Sequence, residues 1–301
     1  MKSGFTLIEL SIVLVIIGLI VGGILTGQDL IDAATARAQL SQIEKYQTAV
    51  RTFQGKFGYF PGDIPEPYAT QFGLQARGAY AGQGDGNGVL EGTCSDTSND
   101  NAGDHEGSGE LAAFWADLSK AALLDTTILG ADNGGAGYPS THAVSPNVTL
   151  TTTPPLSGWL PTAKVGNGNF VYVYALNSTS TNYFAISTVT KLGCTIESTS
   201  SPGMTVQQSY MIDKKADDGL PQTGSIVACY VNYDIVNFAI IWAANGTTGA
   251  GTNGCIPASS ATVTNYATTN CYDNNGVAGT ETYSTSRNAT SRNCALSFKF
   301  Q

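Results

Sequence analysis

Charge is scarce in this chain. Only 12% of its 301 residues are Asp, Glu, Lys or Arg, about half the usual ~25% share, and Ser, Thr, Asn and Gly carry the polarity instead. The 14 Lys and Arg against 23 Asp and Glu leave a net charge of −9. No cluster of five basic residues occurs, so a dedicated nucleic-acid surface is not expected. Histidine is scarcer still: His105 and His142 are the only two, and "HEGSG" misses the H-E-x-x-H zinc pattern by one residue. A G-x-S-x-G elbow, a phosphate-cradling G-x-x-x-x-G-K-[ST] and a G-x-G-x-x-G between strand and helix are all lacking, so an enzyme is not expected. No pair of cysteines is spaced C-x-x-C, which argues against a zinc ribbon or a thioredoxin-like site. Proline is missing before Pro61, and no repeat of fixed period is visible.

What is present begins with one long apolar run. Phe5 to Leu25 is 21 residues with a single charge, Glu9. As a helix it would be roughly 32 Å long, close to the ~30 Å hydrocarbon core of a bilayer. A cleaved secretory signal would want a basic n-region, a shorter apolar core and an A-x-A-like site, none of which is found. Lys2 before the run and Asp29 and Asp32 after it favour a cytoplasmic N-terminus. Helical character continues beyond the run. Ala36, Leu40, Ile43, Tyr46, Val50 and Phe53 recur at steps of three or four and draw one apolar stripe. Gly55 and Gly58 mark its expected end, so one helix is expected from Phe5 to about Phe53.

After the turn-rich "GYFPGDIPEP" the texture is mixed. "GELAAFWADLSKAALL" has helical spacing. "NFVYVYAL" and "YFAISTVT" read as a hairpin, and "QQSYMIDKKADDG" as a helical turn or two. "SIVACYV", "VNFAIIWAA" and "CALSFKF" read as further strands. Residues 78–109 and 130–168 read as long loops. Trp115, Trp159 and Trp242 fit core packing better than a sugar-binding surface. The six cysteines all follow the apolar run, an even number that suits disulfides in an exported chain. Cys255, Cys271 and Cys294 crowd the turn-rich C-terminal third, where a crosslink would best restrain the chain, as Cys271–Cys294 or Cys255–Cys271. Cys194 and Cys229 are further candidates.

The opening "KSGFTLIELSIVLVIIGLI" resembles the class III signal of type IV pilins and of the pseudopilins of type II secretion. "YQTAVRTFQGKFGYFPGD" resembles, more weakly, the helix exit of major pseudopilins. The resemblance implies cleavage by prepilin peptidase between Gly4 and Phe5 and N-methylation of Phe5. It makes Glu9 the fifth residue of the mature chain. The physical reading agrees: a carboxylate in hydrocarbon costs several kcal/mol unless paired, and cleavage creates an ammonium on Phe5 that Glu9 of a neighbouring copy can meet. Gly18-xxx-Gly22 and Gly23-xxx-Gly27 fit close helix packing or simply the ordinary glycine content of membrane helices. Many pilins carry a proline in this stretch; this chain does not.

Major pseudopilins often hold a structural calcium, so two loops are candidates. "GQGDGNGVLEG" offers Asp85, Asn87 and Glu91, and "DKKADDGLPQTG" offers Asp213, Asp217 and Asp218; both fall short of a full calcium-loop pattern. The expected fold is α+β and pilin-like, a long N-terminal helix packed on an antiparallel sheet with long loops. Its expected parts are a leader (1–4), a membrane and polymerisation helix (5–27), an amphipathic continuation (28–55) and an exported domain (56–301). The expected role is a subunit of a type IV pilus or a type II secretion pseudopilus, or a pilus-displayed binding module. Its expected partners are copies of itself, prepilin peptidase and an inner-membrane assembly platform. No cofactor is expected to be required, and calcium is a candidate structural ion. The chain is expected to cross the inner membrane once before joining a periplasmic or extracellular filament.

Overall fold

The computed structural model describes residues 7–77, 84–92, 109–125, 128, 148–149, 156–176, 180–192, 199–232, 240–244, 268–274, 277 and 279–301. Helix α1, Leu7–Phe57, is continuous over 51 residues, roughly 77 Å at 1.5 Å per residue. It passes through Gly55 and ends at Phe57, four residues beyond Phe53, with Gly58 next. That glycine adopts φ +82° and donates its N–H to the Gln54 carbonyl at 2.8 Å, a left-handed terminus that glycine adopts without strain.

The two ends of α1 differ because their side chains differ. From Leu7 to Ile24 the Leu, Ile and Val side chains are exposed all round the helix. From Ala36 to Phe53 one stripe is buried: Ala36, Ile43, Tyr46, Ala49, Val50 and Phe53, with Leu40 half-buried beside it. The expected stripe is therefore the one that meets the core. A polar residue lies in the same stripe. Gln39 is fully buried, and its Oε1 accepts from the Val165 N–H at 3.1 Å. Gln42 donates to the Thr162 carbonyl at 2.8 Å and accepts from the Lys164 N–H at 3.0 Å.

The stripe packs on an antiparallel sheet built round one long strand. Strand β1 is Val148–Thr149, β2 Asn169–Leu176, β3 Thr181–Leu192, β4 Thr199–Ser201, β5 Ile226–Val227 and β10 Leu296–Lys299. The expected hairpin is β2–β3, in register from Asn169↔Thr188 to Leu176↔Thr181. β10 pairs with β3 over Tyr183–Ile186 and carries β5 on its outer edge. β4 follows on the same side of β3 past a bulge at Val189, and β1 pairs with the end of β3. Two small ribbons complete the strands, β6 (Cys229–Val231) with β7 (Ile240–Trp242) and β8 (Tyr272–Asp273) with β9 (Thr282–Tyr283).

Short helices α2 (Tyr68–Gln71) and α5 (Thr285–Asn288) frame the loops, and the expected helix is present as α3 (Gly109–Lys120). α3 closes the core with aromatics: Trp115 meets Tyr46 edge-on at 4.9 Å, and Phe184 of β3 meets Phe300 at 4.2 Å. Trp115, Trp159 and Trp242 are all buried, as core packing requires.

Two expectations need correction. "SIVACYV" is two strands, because the Ala228 N–H leaves the ladder for the Pro221 carbonyl at 2.7 Å. "QQSYMIDKKADDG" holds a full helix, α4 (Val206–Ala216), started by a capping box in which Thr205 and Gln208 satisfy each other's backbone N–H. α4 packs across α1, and the Gln208 amide donates to Asp32 Oδ1 at 3.1 Å. Of the two expected disulfides, Cys271–Cys294 is the one formed, joining residues with Cα atoms 4.8 Å apart. Cys229 is also in a disulfide. Cys94, Cys194 and Cys255 lie outside the described residues.

Candidate functional site

Glu9 stands in the first turn of α1, inside a stretch long and apolar enough to cross a membrane, none of which the rest of the chain buries. Gly4 and Phe5 lie outside the described residues. The helix itself satisfies two hydroxyls in and beside this stretch. Ser11 donates to the Ile8 carbonyl at 2.9 Å and Thr26 to the Gly22 carbonyl at 2.7 Å, as a segment in hydrocarbon must. Gly18, Gly22, Gly23 and Gly27 have nothing within 4 Å of where a Cβ would stand. Among the described residues, no packing within one copy accounts for them.

The first acidic loop is held by residues the sequence reading did not single out. Asp63, in the turn after α1, is buried, and its two oxygens accept from the Gly86 and Gly88 N–H groups at 2.7 and 2.8 Å. Glu110, in the first turn of α3, is fully buried. It accepts from Gly84 at 2.9 Å, Asp85 at 3.3 Å and Glu91 at 2.9 Å. Buried Asn182 closes the loop, accepting from Leu90 at 2.9 Å and donating to the Gly88 carbonyl at 2.9 Å. The approach is tight at Gly62, where φ is +89° and a Cβ would lie 2.3 Å from the Glu110 carbonyl oxygen. Only the Gly/Pro/Asp turn signal at "FPGDI" and the acid opening α3 hint at this in sequence.

The structure thus joins Asp85 to Asp63 and Glu110, with one oxygen of each within 4.8 Å of the others. It does not bring Glu91 into that group. Asn87 is engaged locally, donating to Asp85 Oδ2 at 3.0 Å and accepting from Val89 at 2.6 Å. Burial raises Asp63 to about 7 and holds Glu110 well above its ordinary range, each with a neighbouring carboxylate adding to the effect. Burial first, then Asp85, also raises Glu91.

The second loop joins Asp217 and Asp218 to Asp213, again within 4.8 Å. Asp213 is fully buried at the end of α4, accepting from the Gly219 N–H at 3.0 Å and the Tyr283 hydroxyl at 2.7 Å. Burial is the main reason it titrates near 7. Asp217 accepts from Ser225 and Ile226, and Asp218 from Leu220 and Thr223. Gly224, at φ +80°, leaves the space that Asp217 fills; a Cβ there would be 2.0 Å from Asp217 Oδ2.

Among the described residues, no Lys or Arg forms an ion pair with these six carboxylates. Each group is a set of hard oxygen donors, and oxygens up to 4.8 Å apart fit round one cation bound at about 2.3–2.6 Å. The donor chemistry therefore fits calcium in both loops, and protons neutralise the buried acids equally well.

The family model for the prokaryotic N-terminal methylation motif matches residues 1–25. Neither the curated proteins nor the solved structures contain a match to the chain. The chain therefore carries a prepilin-type signal that leads directly into the exposed apolar half of α1, and this points to a structural subunit of pilin type.

Proposed function

We propose that this protein is made as a prepilin and serves as a subunit of a type IV pilus or a type II secretion pseudopilus. Prepilin peptidase cuts between Gly4 and Phe5, and Phe5 becomes the methylated N-terminus. Before assembly the chain is held in the inner membrane by one span with its N-terminus in the cytoplasm. An inner-membrane platform then draws it into a filament on the far side. The observation that carries this reading is the methylation motif over residues 1–25 continuing into a helix whose apolar side chains find no cover within the subunit.

The chemistry of Glu9 supports the same reading. In low dielectric the attraction between Glu9 and the Phe5 ammonium of a neighbouring copy is strong, and it favours bundled over isolated helices. That ammonium exists only after cleavage, so processing licenses assembly. Glu9→Leu should leave membrane insertion and cleavage intact and abolish filaments. The check is N-terminal mass analysis of the membrane pool together with electron microscopy of sheared filaments; normal filaments from this variant would refute the pairing.

Calcium belongs to this proposal as a structural ion. Asp63, Asp85 and Glu110, or Asp213, Asp217 and Asp218, would hold it, and it would neutralise the buried acids where protons otherwise must. The alternative of a displayed binding module rests on the long loops, and ligand capture by the filament would favour it.

A further inference from the structure

The face of α1 turned away from the sheet is exposed from Ala34 to Lys56, about 33 Å of helix. At 100° per residue its centre is a line of small side chains: Ala34, Ser41, Thr48, Thr52 and Gly55. Arg37 and Arg51, with Glu44 between them, flank one edge of the line, and Lys45 and Lys56 flank the other. Residues 33–57 hold these four cations and one acid, Glu44, whereas residues 58–301 hold nine Lys and Arg against nineteen Asp and Glu. The helix face and the globular domain thus carry opposite charge on one chain.

The basic edge has little to do within its own copy. Lys45 pairs with Asp125, and Lys56 lies over the Phe57 ring. Among the described residues Arg37 and Arg51 have no ion pair and no hydrogen-bond partner. Gly55 is helical, with nothing within 4 Å of a Cβ position, so neither backbone geometry nor packing in this copy calls for it. Arg37 lies about 18 Å of helix beyond Leu25, farther than the ~8 Å reach of an anionic headgroup layer at physiological salt.

We infer that this basic face of α1 docks against the acidic globular domain of a second copy of the chain. The inference rests on the filament reading and assigns that filament a contact outside the apolar core. The line of small side chains lets the partner's surface come close to the helix, and the flanking cations orient it. Like charges repel domain from domain, so the contact forms only between the helix of one copy and the domain of the next. Complementary charge of this kind sets partner orientation more than raw affinity.

The test uses the full-length chain in its own assembly system. Arg37→Glu with Arg51→Glu should be inserted and cleaved as wild type, with unchanged thermal unfolding, and should lower filament yield about tenfold. Arg37→Lys with Arg51→Lys should assemble as wild type, since the charge is kept. Wild-type filaments should also loosen as salt rises. Normal filaments from the double Glu variant, or equal failure of the double Lys variant, would overturn the contact while leaving the filament reading intact. If wild type itself forms no filaments, the filament reading falls and takes the inference with it. Capture of anionic vesicles or nucleic acid by the wild-type face, with no effect of the Glu variant on filaments, would also overturn it.

Discussion

Arg77 and Asp117 meet at 2.5 Å with both side chains almost sealed from water. The same Asp117 oxygen accepts from the Gly62 N–H at 2.7 Å. This pair pins the turn after α1 to α3, one residue before Asp63 begins to organise the glycine-rich loop. Removing one partner strands a charge in the interior. Arg77→Met should therefore cost about 3–5 kcal/mol, read as a large drop in the urea midpoint of the fold that follows α1. Single residues of this kind were not legible in the sequence. Asp63, Arg77, Glu110 and Asp117 look like ordinary turn and helix-end polar residues, and only the packing of α1 against α3 seals them. Glu9 is legible because its surroundings are local: it is the only charge between Phe5 and Leu25.

At the scale of elements, what local periodicity encodes came through, and what tertiary competition decides did not. The apolar stripe of α1 and the alternation of β2 and β3 each follow from the spacing of neighbouring side chains. The break at Ala228 does not, because its cause is a carbonyl seven residues back at Pro221. α4 was read as too short because its middle, Tyr210–Lys215, is polar on the outward side; its capping box is the signal that fixes where it starts. Gln208 has two tasks there, accepting from the Thr205 N–H at 3.2 Å and donating to Asp32 of α1. Gln208→Ala should lose both, destabilising the domain by about 1–2 kcal/mol. Amide exchange in α1 around Asp32 should rise with it, and unchanged protection there would show that α4 does not hold the helix.

For the whole molecule, acidity is the quantity that couples stability to conditions. Asp63 and Asp213 titrate near 7 in the folded chain, and burial also holds Glu110 well above its ordinary range, whereas free carboxyls titrate near 4. The folded state thus keeps protons that the unfolded chain has released. This contribution to stability is complete below about pH 4 and is lost as pH rises through about 7. In chelator, the fold that follows α1 should unfold at lower urea at pH 8 than at pH 5. Calcium at roughly millimolar concentration should restore the midpoint at pH 8 and change little at pH 5. A profile flat in both pH and calcium would mean that neither protons nor cations neutralise these loops.

The unbroken course of α1 has a mechanical consequence. No proline interrupts the 51 residues, and the domain clasps only the stretch from Asp32 onward. In the proposed filament, a pull applied between the N-terminal end of one subunit and the domain of another would be carried first by the helix backbone. Its i to i−4 hydrogen bonds lie nearly parallel to that load and act in series, so the bare stretch before Asp32 yields first. Four of its residues are glycines with nothing among the described residues within 4 Å of a Cβ position. In the proposed filament this bare stretch would be the extensible element, placed where stretching leaves the fold of the domain untouched.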